Sequence, residues 1–174
     1  MTPAGTAPLR ACGYCAAAKN VTGMVIIRAH ARDYLCLRHQ QWLRGIHRPG
    51  LAALPEVTGS QRRHDRHTAN IPDEDIARAH RQARDITGQW LATGWHPALT
   101  ERWQHRHRRL TAALPGPEPV LADVITHPEM LAIARLLLAR RCAPRPGPGQ
   151  IGASLGFDYP SRPHPCDPLQ LHLG

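Results

Sequence analysis

The sequence predicts a mainly α-helical protein with a small zinc-stabilised N-terminal module of β-hairpin and helix, knuckle-based and treble-clef-like. Three features of the 174 residues carry that expectation. Metal-ligand residues recur as C-x2-C-x20-C-x2-H at Cys12, Cys15, Cys36 and His39. Apolar residues recur at helical spacing between Ile76 and Leu114, and again in a dense run from Met130 to Leu138. Proline and glycine dominate from Cys142 onward, where aliphatic residues are scarce. These features divide the chain into a zinc-binding module at 1–50, a helical region at 51–141 and a Pro/Gly-rich flexible tail at 142–174.

Taken in order, "VTGMVIIRAH" is rich in β-branched residues and alternates from Met24 to Arg28, which predicts a strand. "DYLC" is its expected short partner, with the turn near Ala31 to Asp33. "LRHQQWLRGI" then predicts a helix with Leu37, Trp42, Leu43 and Ile46 toward one side, ended by Pro49 and Gly50. Val25, Ile27, Leu35 and Leu43 are the module's expected core. In "LAALPEVTGSQRRHDRHTAN", Pro55 suits a first helical turn, but few residues are apolar, so a short, exposed, basic helix is expected. Asp73, Glu74 and Asp75 favour the start of the next helix, on which Ile76, Ala79, Ala83, Ile86 and Trp90 form a stripe. Pro97 opens another, with Leu99, Trp103, Leu110 and Leu114 on its apolar side. Thr126 and Glu129 have capping-box spacing with Pro128 in the first turn, so a central apolar helix is predicted to begin there.

Zinc favours thiolate and imidazole in a tetrahedral shell, and a C-x2-C turn points two sulfurs to one side. On a helix, Cys36 and His39 lie one turn apart on the same face and close the shell. With every position filled by protein, the Zn2+ is expected to be structural, standing in for a core too small to fold the module unaided. The competing reading, a redox pair at Cys12 and Cys15, expects the pair at the start of a helix after a strand, whereas here it follows a proline-containing N-terminus.

At these residues a resemblance enters. "ACGYCAAAKN", a strand, then "DYLCLRHQQWLRG" resembles the zinc-binding part of TniQ-family proteins over roughly residues 10–55. That resemblance implies an accessory protein acting with a transposase and an ATPase in DNA transposition, and hence a protein partner within a transposition complex. The chain departs from the family pattern in having eleven residues before Cys12 and no cysteine between Cys36 and Cys142, which suggests a shortened, TniQ-like protein.

The formal net charge is +9, and Lys19 is the only lysine among 22 basic residues. A coding bias toward G and C accounts for arginine over lysine, but not for the net charge, which points to a polyanionic partner, DNA first. "QRRHDRH" and "ERWQHRHRR" concentrate that charge on helical segments, and Arg62, Arg63, Arg66, Arg106, Arg108 and Arg109 are the candidate nucleic-acid contacts. The alternative for such runs is a solvated helix face, and the alternative function is a protein-interaction adaptor that docks partners through the Met130 to Leu138 helix. No enzyme is expected: the histidine pairs lack a carboxylate set for a metallonuclease, and "GASLG" falls in the proline-rich tail. Five cysteines, no apolar leader and no run long enough to span a bilayer together predict a soluble cytoplasmic protein.

Overall fold

The computed structural model describes residues 7–45, 48–114, 122–139 and residue 156; all of the expected tail except Gly156 lies outside them. The first strand, β1 (Ala7–Arg10), precedes the first cysteine pair and lies antiparallel to β2 (Ile26–Ala29), with Leu9 opposite Ile27 and Arg10 opposite Ile26. The single-turn α1 (Gly13–Ala17) and a return through Asn20 and Gly23, both at positive φ, join the two strands.

The expected pairing of the Met24 to Arg28 strand with Asp33 to Cys36 is therefore corrected. The true partner, Ala7–Arg10, contains Pro8, which lacks a ladder donor and is a residue that sheets tolerate on edge strands. A second, shorter hairpin follows, β3 (Leu35–Cys36) against β4 (Gln41–Trp42), with Leu35 opposite Trp42 and Cys36 opposite Gln41. It takes the place of the helix expected over Leu37 to Ile46. Gln40 turns left-handed at φ 46°, which breaks any helix there, and Leu43 N–H donates to the Tyr34 carbonyl at 2.9 Å to close the hairpin.

Four helices complete the chain: α2 (Pro55–Thr68), α3 (Asp73–Thr93), α4 (Pro97–Ala113) and α5 (Ala122–Ala139). Acidic residues fill the first turn of α3, and Gly94 ends it at φ 59°, its N–H bonded to the Trp90 carbonyl. Every residue of the stripe expected on α3 is buried, as are Leu99, Trp103 and Leu110 on α4. α5 begins a turn earlier than expected, so Pro128 sits inside it; Thr126 does not cap but bonds the Ala122 carbonyl through its hydroxyl at 2.9 Å. Its side chains from Val124 to Ile125 and Met130 to Ala134 are buried where it packs on α2, α3 and α4.

α2 is not the exposed helix expected. Val57, Thr58, Ser60, Gln61, His64 and Thr68 are all buried, and a burial face this polar escapes a search for apolar periodicity. One hydrophobic cluster joins Tyr34, Leu35 and Trp42 of the second hairpin to Leu51, Leu54 and the four long helices. The fold is thus mainly helical with small N-terminal β-hairpins, and the hairpin ends of the first two ribbons carry the cysteines. No helix of the described residues is long and apolar enough to cross a membrane.

Candidate metal centre

Two chain reversals build the site. Cys12 caps the N-terminus of α1, where its carbonyl receives the Ala16 N–H at 3.0 Å, and Cys15 follows on the same turn. Cys36 ends β3, and the turn into β4 carries His39 back beside it. Burial pushes the Cys36 thiol up, but the His39 amide, the thiols of Cys15 and Cys12 and the Arg38 amide donate to its sulfur and together draw its pKa down.

Cys12, Cys15, Cys36 and His39 come together with one ligand atom each, all within 4.8 Å of one another. His39 Nδ1 lies 3.5 Å from Cys12 Sγ, 3.2 Å from Cys15 Sγ and 3.6 Å from Cys36 Sγ, and the Cys15 and Cys36 sulfurs are 3.7 Å apart. A tetrahedron with zinc-like bond lengths has edges of about 3.5–3.8 Å, so the donor set and its spacing fit such an ion. Burial, then the neighbouring thiols of Cys36 and Cys12, push the Cys15 thiol up to about 11. A bound cation reverses that effect by stabilising thiolates. The cluster can therefore hold a metal ion such as zinc.

Two side chains beside the cluster were not expected. Arg48 reaches back to donate to the carbonyls of Arg10 at 2.7 Å and Ala11 at 3.0 Å, fixing the chain as it enters the first knuckle. The side-chain amide oxygen Oε1 of Gln41 accepts from Cys12 Sγ at 3.3 Å. Neither residue belongs to a recognisable spacing, and only the fold brings them close.

The module is tied to the helices on its other side. Arg44 lies over the Tyr34 ring at 4.3 Å and donates to the carbonyls of Asp33 and Ala31, and Arg84 of α3 donates to the Tyr34 hydroxyl at 3.1 Å. His30 pairs with Asp73 at the start of α3.

The six arginines proposed from sequence separate into two groups. Arg62, Arg63 and Arg66 are exposed on the side of α2 opposite its buried face, and Arg108 is exposed on α4. Arg106 is 4% exposed and donates to both oxygens of Glu129, at 2.6 and 2.9 Å, and to the Ile125 carbonyl at 2.7 Å. As a surface contact it is corrected to an interior ion pair, because the Glu129 expected to cap α5 reaches across to it and to Trp103 Nε1 at 3.0 Å. Arg109 is held by Glu56 at 3.0 Å and by the Ala53 carbonyl. The apolar helix expected to dock a partner is likewise in the core.

Comparisons of this chain with family models, with curated proteins and with solved structures found no match.

Proposed function

We propose that the protein is a non-enzymatic, zinc-held DNA-binding accessory protein, and that the outward face of α2 meets the phosphate backbone. The observation that carries this reading is the group Arg62, Arg63 and Arg66, which lie within about 100° of arc on a helix whose opposite side is buried. None of the three has an acidic partner among the described residues. Cations fixed on a rigid scaffold lose little freedom on meeting phosphate, and the formal charge of +9 attracts the same partner at a distance.

The ion is structural Zn2+. Three sulfurs and one imidazole nitrogen fill a tetrahedral shell, so no position is left for an activated water. The resemblance of residues 10–55 to the zinc-binding part of TniQ proteins supports a place beside a transposition machinery.

Fluorescence anisotropy of a labelled duplex, read at several salt concentrations, tests the reading. The Arg62→Gln/Arg66→Gln double variant is expected to bind more weakly at low salt and to lower the slope of log K against log salt by about 2. A wild-type protein that ignores duplex at low salt would falsify it.

A protein-interaction adaptor is the second reading, favoured by one observation: Tyr14, Val21, Met24, Ile26 and Ile27, the exposed large apolar side chains among the described residues, all lie on the first knuckle and its ribbon. It expects no salt-dependent duplex binding and loss of partner capture in Met24→Ser/Ile26→Thr.

A further inference from the structure

Between α2, α4 and α5, away from the metal ligands, lies a cavity of about 240 Å³. Four guanidinium groups line it, those of Arg63, Arg102, Arg106 and Arg135, against two carboxylates, Glu56 and Glu129. Both carboxylates are already engaged: Glu129 by Arg106, with Arg102 at 3.5 Å, and Glu56 by Arg109 at 3.0 Å, with Arg106 Nε at 3.6 Å. Positive charge is therefore in excess at the wall of a concave space. Arg135 is half-buried on α5, and its NH1 is shielded from solvent with no hydrogen-bond partner among the described residues. A shielded guanidinium N–H without an acceptor is costly unless something fills the role. Burial, and then the charge of the neighbouring Arg63, depress the Arg135 pKa.

We infer that this cavity is a binding site for a phosphate group, held between Arg63 and Arg135 with Arg102 at its rim. A phosphate presents several acceptor oxygens to planar N–H forks, which suits converging guanidiniums better than a single carboxylate does. The Arg106 and Glu129 pair lies behind as a wall fixed by two hydrogen bonds between them and one to the Ile125 carbonyl. This goes beyond duplex binding by the outer face of α2, with which it shares only Arg63.

The test adds inorganic phosphate to the zinc-loaded 174-residue chain, against chloride at matched ionic strength. Two signals are read: the thermal midpoint, and the arginine Nε–H resonances in a ¹H–¹⁵N spectrum. Phosphate is expected to raise the midpoint saturably and to move the Arg63, Arg102 and Arg135 resonances. Arg135→Gln should weaken apparent affinity by about tenfold or more, in line with loss of a charged hydrogen bond. Arg78→Gln, on α3 where Arg78 pairs with Asp75, should leave it unchanged. The resonances of the unaltered protein keep the test independent of whether Arg135→Gln folds. Equal responses to phosphate and chloride, or stationary arginine signals, overturn the assignment.

Competition then names the source. Displacement by a 5′-phosphorylated oligonucleotide, and not by its unphosphorylated counterpart, places a nucleic-acid terminus in the cavity; displacement by ribose 5-phosphate alone places a free phosphate ester there. Displacement by neither means an adventitious ion only, and the proposal fails. Duplex affinity of the Arg62→Gln/Arg66→Gln variant is measured separately, so the two readings stand or fall independently.

Discussion

Cys36 offers its sulfur at the end of a two-residue strand, and the amides of Arg38 and His39 turn back toward it. Each half of the site is set by residues three apart in the chain, which is why C-x2-C and C-x2-H could be read directly from the sequence as one site. Replacing Cys36 by serine removes one thiolate from the shell; bound zinc, measured by native mass spectrometry, should fall below one equivalent, and the thermal midpoint should drop by roughly 10 °C. Arg106 shows the opposite case. In "ERWQHRHRR" nothing distinguishes it from Arg108, and the partner that buries it, Glu129, lies 23 residues away on another helix. Glu129→Gln would strand a guanidinium in the interior and is expected to cost about 3–5 kcal/mol, read as a lower urea midpoint with an unchanged slope. The same change at exposed Glu101 should cost less than about 0.5 kcal/mol.

Among the elements, α3 and α4 were legible because burial there follows the 3.6-residue period with apolar side chains and with Pro and Gly at the ends. The segment after Cys36 was misread for a definite reason: Leu37, Trp42, Leu43 and Ile46 fit a helical stripe, but the left-handed Gln40 that makes the knuckle has no sequence signature. α2 was underestimated because its inner face is built from Gln61 and His64, whose apolar equivalents would have announced it. His64 Nε2 meets His80 Nε2 of α3 at 2.9 Å, and His127 Nε2 of α5 meets Gln61 Oε1 at 2.8 Å, so three buried imidazoles bind these helices together. Burial, followed by the neighbouring cationic groups, lowers His64 to about 3; burial, partly offset by the Ala31 carbonyl, lowers His80 to about 4; burial drives His127 well down.

The sign of their effect follows directly. These groups stay neutral in the fold and take up protons when unfolded, so their contribution is whole above the ordinary histidine value of about 6.5 and is lost as pH falls from there toward 4 and 3. Each should cost up to about 1.4 kcal/mol per pH unit in that window, and urea midpoints at pH 7 and pH 5 should be closer together in His80→Gln than in wild type. At the end of α3, Gly94 holds φ 59° in open space; Gly94→Ala should cost about 1 kcal/mol by calorimetry through backbone conformation alone.

At the scale of the whole molecule, the hairpin that carries Cys36 and His39 also inserts Tyr34 and Trp42 into the shared core. The Trp42 ring meets His127 of α5 at 5.0 Å, edge on, and Tyr34 meets His80 at 5.3 Å. Removing the ion should therefore be felt in the bundle: chelation is expected to change tryptophan fluorescence and to lower the unfolding midpoint of the helices, followed at 222 nm. A helical transition indifferent to chelator would show that the hairpin keeps its place unaided.

The position of α5 has one more consequence, a kinetic one. The four ligand residues all precede the long helices, so the loops between them can close around an ion before those helices are synthesised. α5, against which α2, α3 and α4 all pack, is the last helix of the described fold to be synthesised. Until it arrives, the apolar faces of the three earlier helices have nothing to close against, and a nascent chain that pauses before residue 122 exposes them. During synthesis a metal-loaded knuckle can fold early, while the bundle of the described residues must wait for its centre.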